Sequence, residues 1–179
     1  MDERTGEAFE LDEQLTVVGR KLAPGDIAPD FALDYFDETG GRVVRLSDSA
    51  GKIRLLNVVN SLDTPVCHVE THRWDEFRAT LPRDVAFYTI SMDLPYAQAR
   101  WQAAEQVGYP ALSAHRSEDF GRDYGVLLKE WRLLQRAVFV IGRDGRLTYV
   151  EYVPDQMREP DYDAAIAAVR EAAAEPATV

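Results

Sequence analysis

Cys67 is the only cysteine among 179 residues. One thiol forms no internal disulfide, builds no Cys-rich metal site and cannot run dithiol exchange, which needs a Cys-x-x-Cys pair. Two roles are left for it, a small buried hydrophobe or a lone nucleophile. Its setting favours the nucleophile. The apolar run Ile53–Val59 suits a central strand, and from Cys67 onward Glu70, Trp74, Phe77 and Leu81 recur at helical spacing. The loop Asn60–Pro65 therefore delivers the sulfur to the start of a helix. Unpaired N–H groups and a partial positive charge at such a terminus favour a thiolate. Thr64 is placed to cap that helix or to hydrogen-bond beside the sulfur, and Pro65 fits its first turn.

Magnitudes show that the helix alone is not enough. An ordinary thiol with a pKa of ~8.5 is about 3% ionised at neutral pH, and lowering such a value to ~6 takes roughly 3.4 kcal/mol. A helix terminus supplies ~0.3–1 kcal/mol, or up to ~2 when partly buried. A cation must supply the rest, most simply an arginine from elsewhere in the fold. Spacing alone does not identify it.

Other chemistry-bearing residues read more plainly. His68 and His72, four apart, form a two-ligand metal edge, but Glu70 falls on another face and no third ligand stands at matching spacing. They are expected to lie on a solvated helix face, so no metal is expected. Neighbours at i and i+1 point apart on a helix, which argues against a Cys67–His68 dyad. His115 is expected in a loop. Trp74, Phe77 and Trp101 are expected in the core or at a subunit interface. Gly142-Arg143-Asp144-Gly145 is a hairpin turn without the strand-to-helix context of a phosphate-binding loop.

The length suits one domain, and apolar residues at 46% with charged residues at 28% suit a folded one. A net charge of −11 argues against nucleic-acid and anionic-membrane partners. No apolar run approaches the ~20 residues of a bilayer span. The chain opens Met1-Asp2-Glu3-Arg4 without a targeting pattern, which together with the lack of disulfides points to a reducing cytoplasm. Residues 1–9 are expected to form a flexible N-terminal segment, 10–172 a single domain and 173–179 a C-terminal tail. Within the domain, Glu10–Val18 reads as a strand or hairpin. Strands are expected around Phe31–Leu33, Arg42–Leu46, Ile53–Val59, Asp84–Met92, Ala137–Ile141 and Leu147–Val153. Helices are expected after Thr64, after Leu94 (ending near Gly108), over Ser117–Tyr124 with Ser117 as cap, and from Pro160. That order predicts an α/β sandwich, a mixed central sheet with helices on both faces.

Five segments, Asp63–Cys67, Ser91–Gln98, Phe120–Gly121 with Tyr124–Val126, Arg136–Val140 and Glu159–Tyr162, closely resemble the thiol peroxidase family. These are atypical two-Cys peroxiredoxins of bacteria, and the resemblance runs in family order from Leu15 to Val169. It implies a thioredoxin-like fold with an N-terminal β-hairpin, and a thiol-dependent peroxidase that needs no metal or organic cofactor. It also implies a homodimer. Cys67 would attack a peroxide and become a sulfenic acid. Thr64 would hydrogen-bond the sulfur and the peroxide, and Arg136 would be the missing cation.

Two positions depart from the family pattern. Asn60 stands where the active-site loop, which also holds Pro65 and Val66, normally has a proline. Gln102 stands at the resolving-cysteine position. Without a resolving thiol, the resemblance implies resetting by an external thiol, from a thioredoxin-like protein or a small molecule. The same departures would suit a non-catalytic redox-sensing or partner-binding module.

Overall fold

The computed structural model describes residues 2–175, so a C-terminal tail over 173–179 falls largely outside them. Among the described residues eleven strands form: β1 (Glu3–Glu10), β2 (Glu13–Val18), β3 (Ala32–Asp37), β4 (Gly40–Arg45), β5 (Arg54–Val58), β6 (Ala86–Ser91), β7 (Ala111–Ser113), β8 (Leu127–Leu128), β9 (Leu133–Leu134), β10 (Ala137–Ile141) and β11 (Leu147–Tyr152). Four α-helices accompany them: α1 (Pro65–Arg78), α2 (Pro95–Glu105), α3 (Asp119–Asp123) and α4 (Tyr162–Ala174). Seven strands make the main sheet in the order β11-β10-β5-β6-β7-β3-β4, and β1-β2-β8-β9 make a second. β5, β6 and β7 run parallel; their other neighbours are antiparallel.

The main sheet is buried on both faces, which explains why its central strands read as continuous apolar runs. Leu55 of β5 with Val138 and Val140 of β10 pack beneath α1 and α4, against Trp74, Tyr162, Ile166 and Val169. Leu56 and Val58 with Phe139 and Ile141 face the opposite way, toward Phe120 and Tyr124 at α3. This period-two alternation matters for the site. Arg136 precedes β10 with the parity of Val138 and Val140, so its side chain is sent toward α1.

The flexible segment expected over residues 1–9 is instead mostly strand. β1 pairs with β2 from Glu3↔Val18 to Glu10↔Glu13, and Phe9 bonds on to Pro154. Its polar composition misled because only Ala8 is buried, the other β1 residues lying at or near the surface. Helix ends also differ from expectation. The left-handed residue after α2 is Gln106 (φ 55°), not Gly108, and α3 is preceded by Glu118, with Ser117 bonding the Asp119 N–H. Within Tyr124-Gly125-Val126 the glycine is required. It has φ +63°, and a Cβ there would meet the Arg20 carbonyl oxygen at 2.3 Å.

Candidate active site

The loop from β5 to α1 is fixed by Asp93, which follows β6. Its carboxylate accepts from Ser61 Oγ (2.7 Å), the Leu62 N–H (2.9 Å) and Ser91 Oγ (2.7 Å). Gln98 of α2 donates in turn to Ser91 Oγ (2.9 Å) and to the Leu112 carbonyl (3.0 Å). The Ser91–Gln98 segment is thus the brace that sets where α1 begins.

α1 starts at Pro65 behind Thr64, and the His68 N–H makes its first helical bond to the Thr64 carbonyl (3.0 Å). Cys67 is therefore in the first turn, where Val66 and Cys67 N–H groups have no intrahelical partners. Thr64 does not cap the helix with its side chain; the hydroxyl donates to the Ser61 carbonyl at 2.9 Å. That bond tightens the loop and leaves the hydroxyl oxygen free to accept. The thiol side chain is buried with Val59, Leu62 and Ala111, and Trp101 of α2 packs against the group.

Arg136 reaches this turn from β10. Its side chain is 1% exposed and pairs with the fully buried Glu70 on the next turn of α1. Nη2 donates to the Gln156 carbonyl (2.7 Å) and to Asn60 Oδ1 (3.4 Å), while Nε has no hydrogen-bond partner among the described residues. Burial pulls the guanidinium down, but Glu70 and then Cys67, by charge and hydrogen bonding, outweigh it and hold the cation above its ordinary value. Burial pushes the Glu70 carboxyl up to about 7, against the lowering effects of Arg136 and Trp74. Arg136 is thus within electrostatic reach of Cys67.

Asn60 lies inside the same network. Its amide donates to the Leu134 carbonyl (2.6 Å) and to Gln156 Oε1 (3.1 Å). Gln156 Oε1 also accepts from the Arg136 N–H (2.9 Å). Asn60 therefore steadies Arg136 both directly and through Gln156. Gln102 is spent elsewhere. It donates to the Tyr109 carbonyl (2.6 Å) and accepts from the Ala111 N–H (3.2 Å), pinning α2 to the start of β7.

Glu70, Asp93 and Gln156 escaped the sequence reading as site residues. Glu70 had a signal, a carboxylate in an otherwise apolar helical stripe. Gln156 had none, since a lone glutamine in a loop has no pattern. His68 and His72 do not stand on a bare solvated face; Glu105 of α2 meets both.

Residues 24–150 match the model of the AhpC/TSA family. The chain belongs to that family. The thiol peroxidase of Streptococcus sanguinis is 44% identical over 161 residues, covering 89% of this chain and 96% of that one. That of Bacillus subtilis is 42% identical over 159 residues, covering 87% and 92%. Among solved structures, a peroxiredoxin-like protein from Aquifex aeolicus superposes with a TM-score of 0.80 at 32% identity, covering 94% and 98%. A thiol peroxidase from Chromobacterium violaceum, at 22% identity and a TM-score of 0.82, shares the fold. The expected thioredoxin-like peroxiredoxin fold and enzyme class, thiol peroxidase, are therefore both met. Among the described residues, no helix is long and apolar enough to cross a membrane.

Proposed function

We propose that this family member reduces hydrogen peroxide or small organic hydroperoxides in a one-Cys cycle centred on Cys67. The Cys67 thiolate attacks one peroxide oxygen; the S–O bond forms as the O–O bond breaks. The sulfur is oxidised by two electrons to a sulfenic acid, and the departing hydroxide or alkoxide takes a proton to become water or alcohol. Charge develops on that leaving oxygen, and a preorganised guanidinium is suited to it. The single observation that carries this reading is the buried Arg136 within charge and hydrogen-bonding reach of Cys67. Thr64 is assigned the second contact to the peroxide through its hydroxyl oxygen.

Peroxide is assigned entry along the groove lined by Pro65, Val66, Val69, Met157, Arg158 and Glu159, which opens beside the first turn of α1. Resetting falls to an external thiol, because Gln102 stands at the resolving position. That thiol attacks the sulfenic sulfur, releasing water and leaving a mixed disulfide, and a second thiol reduces it. A thioredoxin-like protein or a small thiol serves, in a reducing cytoplasm, with the enzyme as a homodimer.

The test is steady-state peroxide consumption with a thioredoxin system and, separately, with a small thiol. Turnover abolished in Cys67→Ser, with intact mass after one turnover showing one added oxygen or a mixed disulfide, is the expected result. A wild type that turns over no faster than Cys67→Ser would instead favour the non-catalytic sensing module.

A further inference from the structure

α1 and α2 bring together three ligand-type side chains that the peroxidase reading does not use. His72 Nε2 lies 3.0 Å from Glu105 Oε2, and His68 Nε2 lies 3.8 Å from the same oxygen. All three ligand atoms lie within 4.8 Å of one another. Bonds of about 2.0–2.1 Å in a tetrahedral zinc site set neighbouring ligand atoms about 3.3 Å apart, so small side-chain rotations suffice to close these distances on one ion. The histidines share a helix face because they are four apart, and the carboxylate comes from the neighbouring helix. Trp101 of α2 lines the group, its ring 5.6 Å from that of His68 and 5.8 Å from that of His72. The three side chains are 42%, 37% and 35% exposed, so an ion reaches them from solvent.

We propose that His68, His72 and Glu105 form a binding site for one divalent transition-metal ion of the zinc class, with water in the fourth position. Two imidazoles and a carboxylate are a donor set that zinc accepts, and carboxylate-only competitors such as magnesium gain little from imidazole. The ion clips α1 to α2. Because Trp101 of α2 also packs on the Cys67 cluster, the clip holds together the two elements that enclose the thiol. Ligation favours the docked state by mass action. The proposal stands independently of the peroxidase cycle.

The test is calorimetric titration of tag-free protein with Zn2+, with Cys67→Ser in parallel, and with Co2+ as a spectroscopic probe. One ion per chain in both proteins is expected, with a Kd on the order of micromolar. Affinity is expected to fall at least about tenfold in both His72→Ala and Glu105→Gln, each checked for native circular dichroism. Co2+ is expected to give the intense visible bands of a tetrahedral site, absent in Glu105→Gln. Affinity unchanged in those variants, or lost in Cys67→Ser alone, would overturn the proposal, as would no binding below about 1 mM.

Discussion

Arg136 and Glu70 form an ion pair from which water is excluded, at the base of the turn that carries Cys67. One guanidinium stays fixed in this buried site because Glu70 bonds one terminal nitrogen while Gln156 and Asn60 bond the other. Truncating Arg136 removes both the charge opposite the thiolate and the partner of a buried carboxyl. Arg136→Met is expected to slow Cys67 oxidation by roughly 10²–10³-fold in stopped-flow mixing with peroxide. It is also expected to lower stability by about 3–5 kcal/mol, because Glu70 is left buried without the partner that offsets its burial. The double variant Arg136→Met/Glu70→Gln should recover much of the stability but none of the rate.

Glu70 also sets a pH dependence. Its folded-state value of about 7 lies above the ordinary 4.5, so between those limits the unfolded chain has released a proton that the folded chain retains. Stability from this group is therefore full below about pH 4.5 and is lost as pH rises to about 7, a loss on the order of 3 kcal/mol. Urea unfolding at pH 5 and pH 7.5 in the presence of a chelator measures it. The wild type should lose stability relative to Glu70→Gln across that interval; parallel profiles would show that Glu70 is ionised throughout.

Asn60 occupies the loop position where a proline is usual, and the structure gives it two donor contacts and one acceptor contact. Asn60→Ala leaves the buried Leu134 carbonyl and Gln156 Oε1 short of a donor. The expected cost is about 1–3 kcal/mol, read from the denaturation midpoint. Looser anchoring of Arg136 should slow peroxide reduction as well, by less than Arg136→Met does.

Gln102 should matter for architecture and not for the oxidation step. Gln102→Ala strands the Tyr109 carbonyl and the Ala111 N–H at the α2–β7 junction, an expected loss of about 1–2 kcal/mol. The rate at which the first equivalent of peroxide consumes the thiol should change less than about threefold, a difference worth under 1 kcal/mol.

What the sequence made legible was governed by local pattern. The β5–loop–α1 junction could be read because an apolar strand, a proline and a helical stripe are all contiguous. Arg136 could be placed on a strand, but its aim toward α1 follows from register against Val138 and Val140, which only the sheet defines. Glu70, Asp93 and Gln156 act across separations of 66, 31 and 20 residues, beyond any spacing rule. Glu105 escaped for the same reason, reaching His72 from another helix 33 residues on. β1 was missed because a strand with one buried residue carries no apolar alternation. Short strands such as β7 and β8 gain their ladder bonds from neighbours already in place and leave no periodic trace of their own.

The central claim is that Cys67, held at a helix start beside Arg136, is a peroxide-reactive thiol. It is tested most directly by counting free thiol after adding about one equivalent of hydrogen peroxide to the fully reduced protein. The account predicts that Cys67 is consumed within seconds, that the product is a sulfenic acid trapped by dimedone, and that a small thiol restores it. A Cys67 still fully reduced after minutes in micromolar peroxide would contradict the account.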